Sequence, residues 1–149
     1  MKALSKILLV FAGLLFVTQL AAQDIVGYWK TIDDKTHKPK SVVKIYKAKN
    51  GKYYGKIVKL FRDPGEDPNP KCDKCKGDKH NKPILGMVIL TNLEKVGKNE
   101  WDNGKILDPE SGNVYDVKMW IEDGKLHVRG YIGWSLIGRS QVWLPYKQK

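Results

Sequence analysis

Tyr115-Asp116-Val117-Lys118-Met119-Trp120-Ile121 runs into Asp123-Gly124, and then into Leu126-His127-Val128-Arg129-Gly130-Tyr131-Ile132. In the first arm Tyr115, Val117, Met119 and Ile121 alternate with Asp116, Lys118 and Trp120. In the second, Leu126, Val128, Gly130 and Ile132 alternate with His127, Arg129 and Tyr131. Successive side chains of a strand point to opposite faces, so each arm has one apolar face and one polar or amphipathic face. Asp-Gly favours the tight turn whose two central residues both need positive φ. The stretch predicts an antiparallel hairpin with one face buried.

The same rhythm extends outward in both directions. Runs rich in β-branched and aromatic residues at 25–32, 41–49, 52–61, 84–93, 100–107 and 139–146 are separated by turn signals, among them Asn50-Gly51 and Asp108-Pro109-Glu110-Ser111-Gly112. With 115–121 and 126–132 they make eight candidate strands. The run at 84–93 is continuously apolar, so periodicity alone does not separate strand from short helix there. No long stretch carries a 3.6-residue period. Short strands at regular spacing predict an all-β fold. The hairpin order favours an antiparallel, eight-stranded up-and-down barrel, which leaves no open edge. Eight strands enclose an interior that side chains fill or that holds one small ligand.

The chain begins with Lys2 and Lys6, then an uncharged apolar run over 7–17, then Ala21-Ala22. A basic start, a short apolar middle and a small-residue end predict a secretory signal over 1–22 and export to the periplasm or the exterior. The run is shorter than the ~20 residues that cross a bilayer. A single domain over 23–149 is then expected. Removing Lys2 and Lys6 takes the formal net charge from +11 to +9, mostly lysine. Such a surface is soluble and is attracted to anionic lipid or glycan. Nucleic acid is not a partner that suits an exported chain.

A loop over 62–82 holds three prolines and the two cysteines, and its length suits a functional element. Cys72-Asp73-Lys74-Cys75 has three readings. In an oxidising compartment a disulfide is the default, and over so short a loop it acts locally. The flanking lysines favour a reactive thiolate, but the βαβ setting of a thioredoxin-like pair is missing. Cys72, Cys75 and His80, with Asp73 or Asp78, give a partial ligand set, yet no second close Cys/His pair completes a zinc site.

Gly133-Trp134-Ser135-Leu136-Ile137-Gly138-Arg139-Ser140 nearly matches a phosphate-binding loop and misses a nucleophile elbow by one residue. Both need a strand–turn–helix context, whereas a strand follows here, so the stretch reads as a bend. His37, His80 and His127 are not arranged with a nucleophile and a carboxylate as a triad requires, and Asp33-Asp34 reads as a turn former. No catalytic residue, cofactor or metal site is assigned, and enzymatic activity is not expected.

Gly27-Tyr28-Trp29 opens the first strand and resembles the Gly-x-Trp of lipocalin-type barrels. That resemblance implies a structural Trp29 plugging the floor, a Gly27 that permits close approach, and Arg139 on the last strand packed over Trp29 by cation–π contact. The chain as a whole resembles a bacterial family, domain of unknown function 2147. The matching pieces are Gly27-Tyr28-Trp29 with Ile32-Asp33-Asp34, Ser41-Val42-Val43, Cys72-Asp73-Lys74-Cys75-Lys76-Gly77-Asp78 and Pro83-Ile84-Leu85-Gly86. Gly104-Lys105-Ile106-Leu107-Asp108-Pro109, Val128-Arg129-Gly130-Tyr131 and Gly138-Arg139-Ser140-Gln141-Val142-Trp143 follow in order. The ending Leu144-Pro145-Tyr146 is less polar than the family pattern. The resemblance implies an exported lipocalin-like barrel and no activity.

The expected function is therefore binding of a small apolar or acyl-type ligand in the cell envelope. Arg129 or Arg139 would meet an anionic head group, Tyr115 and Trp143 complete the candidate site, and the lysines aid docking at anionic membranes. The alternatives are a packed interaction domain that uses the 62–82 loop, and an enzyme on a barrel scaffold.

Overall fold

The computed structural model describes residues 22–134 and 137–148. The leader expected over 1–22 lies outside the described residues but for Ala22, as do Ser135 and Leu136 of the glycine-containing bend. Eight strands follow one another: β1 (Gly27–Ile32), β2 (Pro39–Lys47), β3 (Tyr53–Leu60), β4 (Val88–Lys95), β5 (Glu100–Asp108), β6 (Asn113–Glu122), β7 (Lys125–Tyr131) and β8 (Gly138–Pro145). Each pairs antiparallel with the next, and β8 returns to β1 through Trp29 opposite Pro145 and Lys30 opposite Leu144. The sheet is a closed up-and-down barrel.

The quoted hairpin has the expected register, with Met119 opposite Val128 and Ile121 opposite Leu126. Asp123 and Gly124 both take positive φ, as a tight turn of this kind demands. Asn50-Gly51 differs from expectation. Only Gly51 has positive φ, and Ala48 donates its N–H to the Lys52 carbonyl at 2.9 Å. The β2–β3 connection is thus one residue longer than a two-residue turn, with Gly51 as its left-handed position.

The apolar run at 84–93 is a strand only from Val88, and the strand continues to Lys95. Its first residues close the long loop instead. Ile84 donates to the Pro70 carbonyl at 2.9 Å, and Gly86 to that of Ile57 at 2.7 Å.

The two ends of the barrel differ. The base carries the β2–β3, β4–β5 and β6–β7 turns and is filled. Ile45, Tyr53, Leu93, Trp101, Met119 and Leu126 are buried there, and Tyr53 meets Trp101 edge to face at 6.1 Å. Trp29 belongs to this core, its Nε1 donating to the Ile25 carbonyl at 2.7 Å. A Cβ at Gly27 would meet nothing within 4 Å, so glycine is needed there for its φ of +147 rather than for close approach. The other end carries the β1–β2, β3–β4, β5–β6 and β7–β8 connections and forms a mouth.

Candidate ligand-binding site

Beneath the mouth the interior is open. A cavity of about 370 Å³ occupies the upper half of the barrel. Its wall is apolar through Ile57, Ile84, Ile89, Ile106 and Val128, and Trp143 forms its floor. None of the large side chains that fill the base reaches it. The opening has a cause in the sequence. Gly130 stands on the inward face of β7, where a Cβ would have 3.6 Å to the Tyr115 Cβ and 3.7 Å to the Ile106 Cγ2. Any longer side chain would project into the space. The volume lies within the range of small-molecule pockets, and an apolar wall with a few placed polar groups is their usual make-up.

Those polar groups run from floor to rim. Trp143 Nε1 donates to Gln141 Oε1 at 3.1 Å, and Gln141 Nε2 donates to Asp34 Oδ2 at 2.8 Å. Arg139 makes an ion pair with the same Asp34 oxygen. On the adjoining strands β1 and β2, Thr31 Oγ1 and Ser41 Oγ share a hydrogen bond of 2.8 Å, both residues being buried. Lys40 pairs with Glu110 at 2.8 Å, and Arg62 lies 3.5 Å from Glu66. The cations at the mouth are therefore partnered, in pairs exposed enough to be worth about 0–1 kcal/mol each.

Asp33 in the β1–β2 turn and Tyr131 at the end of β7 set the local electrostatics. Asp33 is held below the ordinary carboxylate range, first by the backbone N–H of Thr36 and then by its hydroxyl. That contribution to the turn is present above the carboxyl's unfolded pKa and is lost as pH falls through the depressed folded value. Burial, and then the Asp102 carboxylate, push the Tyr131 phenol up, so it stays a neutral donor to Asp102 at 3.3 Å.

The long loop is ordered over the mouth by the Cys72–Cys75 disulfide, which replaces the thiolate and metal readings. The Cys72 sulfur lies 3.2 Å from the Pro109 carbonyl oxygen, and His80 Nδ1 lies 3.0 Å from that of Cys75. Gly112, at φ +71, seats the β5–β6 turn beneath the loop: a Cβ there would stand 2.0 Å from the Lys74 oxygen. Loop and turn can meet only because that position is bare.

Of the residues expected at the site, Tyr115, Arg139 and Trp143 line the cavity. Arg129 does not. It sits between inward Val128 and Gly130, so it faces outward, and its Nη1 donates to Ser140 Oγ at 3.0 Å. The expected packing of Arg139 over Trp29 is also overturned. Arg139 opposes Gly130 near the start of β8, whereas Trp29 opposes Pro145 at its end, so the two stand at opposite ends of the barrel. Asp34, Gln141, Thr31, Ser41 and Gly130 join the site without having been expected there. Two of them carry a signal in the sequence: Gln141 alternates with Arg139 and Trp143 along the last strand, and Gly130 with Leu126 and Val128 along β7.

With the barrel, the Gly-x-Trp start and the Cys loop in place, the family comparison is decisive: the model for uncharacterized proteins conserved in bacteria, DUF2147, matches residues 27–144. The chain belongs to the DUF2147 family. The match extends from the first residue of β1 to within one residue of the end of β8, so the barrel is the DUF2147 domain. Among solved structures, this DUF2147 chain is similar to protein HP1028 from Helicobacter pylori, described as belonging to the lipocalin family. The TM-score is 0.70 at 23% identity, covering 83% of this chain and 84% of that one, which shows a shared fold. A search of the curated proteins finds no match.

Proposed function

We propose that this barrel is a binding protein of the cell envelope that holds one small, largely apolar molecule with a polar end, of acyl type. The observation that carries the reading is the cavity: apolar walls, a closed base and a mouth bordered by hydrogen-bonding groups. An apolar tail would lie against Ile57, Ile106 and Val128, where burial is worth about 25 cal/mol per Å². Its polar end would reach Gln141 and the Arg139–Asp34 pair. Arg139 is the exposed member of that pair, so its guanidinium is open to an incoming carboxylate. The leader-like start of the chain and the lipocalin-like fold support the same reading.

The test is a calorimetric titration of delipidated protein with decanoate, together with mass spectrometry of lipophiles extracted from the native protein. Saturable one-to-one binding at micromolar levels, or a co-purified amphiphile, is expected. No heat, no saturation and an empty extract would reject the proposal.

A further inference from the structure

The cavity is two-sided. Below the rim, Gln141 on β8, Thr31 on β1 and Ser41 on β2 give it polar groups, and these three strands adjoin in the closed sheet. The strands that complete the circle give it Ile57, Ile89, Ile106 and Val128. A plain hydrocarbon chain matches the second side only, because it takes polar atoms of the first side out of water and offers them nothing. A ligand that suits both sides carries an oxygen on one edge of its length.

Thr31 and Ser41 bond to one another: their hydroxyls share a hydrogen bond, and the Ser41 N–H donates to Thr31 Oγ1 at 3.1 Å. Gln141 has a donor to spare. Its amide is fixed between two partners, since only its oxygen can accept from the Trp143 indole and only its nitrogen can donate to the Asp34 carboxylate. An amide nitrogen carries two N–H groups, and Asp34 takes one of them. Among the described residues no acceptor takes the other. Arg139 also has donors left. Its ion pair with Asp34 engages Nη2, and a guanidinium offers N–H groups at all three nitrogens.

The spacing of these donors is set by Asp34, because Arg139 and Gln141 meet the same carboxylate oxygen. Two donors that share one acceptor stand at most about 6 Å apart. They therefore suit two oxygenated groups that are close together on one molecule. In a 3-hydroxy acid a single methylene separates the carboxylate carbon from the carbon that bears the hydroxyl.

We infer that the ligand is a 3-hydroxy fatty acid, with its carboxylate on Arg139, its hydroxyl on Gln141 Nε2 and its tail on the isoleucine side. The inference deepens the acyl reading and rests on it. Three fixed points around the hydroxyl-bearing carbon make the site sensitive to hand. Only one enantiomer brings carboxylate, hydroxyl and tail to their partners together.

The test is a calorimetric titration of delipidated protein with decanoate and with each enantiomer of 3-hydroxydecanoate, using the wild type and Gln141→Leu. One enantiomer should bind about fivefold tighter than decanoate, the gain from one added hydrogen bond. Its mirror image should bind more weakly than decanoate, since it buries a hydroxyl without a partner. Gln141→Leu should bring the two enantiomers to equal affinity and leave decanoate bound. Each comparison is a ratio within one protein, so a loss of stability in the variant does not imitate the effect, and the wild-type comparison needs no variant at all. Decanoate bound as tightly as the better enantiomer, enantiomers of equal affinity in the wild type, or a preference that survives Gln141→Leu would overturn the inference and leave the acyl reading standing. Binding of none of the three acids would overturn the acyl reading and this inference with it.

Discussion

Replacing Gly130 by isoleucine is expected to abolish decanoate binding while leaving the barrel folded. The position is on a regular strand, opposite Arg139 and Val117, and faces the cavity. A Cβ there makes only ordinary contacts, the nearest at 3.6 Å, so the backbone needs no shift. The remaining carbons of isoleucine must then occupy the space proposed for the ligand. Glycine is a poor strand residue and isoleucine a good one, so the melting temperature should hold or rise. A Kd weakened by about a hundredfold corresponds to about 2.7 kcal/mol. Gly130→Ala, which adds one methyl group, should weaken binding far less. Calorimetry and a thermal melt check both halves. Full affinity in the isoleucine variant would mean that the ligand binds elsewhere.

The opposite outcome is expected at the base. Trp101→Ala should cost about 3–5 kcal/mol of stability, the range for deleting a large buried aromatic side chain. Natural domains have only about 5–15 kcal/mol to lose. Trp101 is 1% exposed, packs edge to face on Tyr53, and lies 5.3 Å from Lys95 Nζ across its ring. Its indole Nε1 is buried and meets no hydrogen-bond partner among the described residues. Trp101→Phe removes that unsatisfied donor, whose burial costs about 1–3 kcal/mol, while keeping most of the ring contact. The phenylalanine variant should therefore lose no more than about 1.5 kcal/mol. Urea unfolding gives both values, and decanoate affinity should stay at the wild-type level in Trp101→Phe. A phenylalanine variant as damaged as the alanine one would show that the indole N–H has a partner.

Much of this arrangement is legible in the amino-acid sequence. The two-residue alternation at 115–132 fixes which side chains face inward, because a strand turns each successive residue over. The same alternation places Arg129 outside, between Val128 and Gly130, so expecting it at a head group sets its charge above its face. Arg139 departs from expectation for a different reason. Whether it stands near Trp29 depends on the register of β8 against β1, and no local pattern sets the pairing of the first strand with the last. The start of β4 is hidden because Ile84 and Val88 are equally apolar. One lines the cavity from a loop and the other belongs to the ladder, a distinction made by the hydrogen bonds of Ile84 and Gly86. The cavity itself has only an indirect mark, a glycine in an otherwise apolar inward row. The Asp34–Gln141 contact joins residues 107 positions apart and has none.

The most direct test of the barrel as a half-open container is an NMR titration of methyl-labelled protein with decanoate. The account predicts ligand contacts to the methyl groups of Ile57, Ile106 and Val128, and none to those of Met119 and Leu126 in the filled base. Resonances of Ile57, Ile106 and Val128 unchanged at saturating decanoate, or contacts to Met119 and Leu126 in the base, would contradict it.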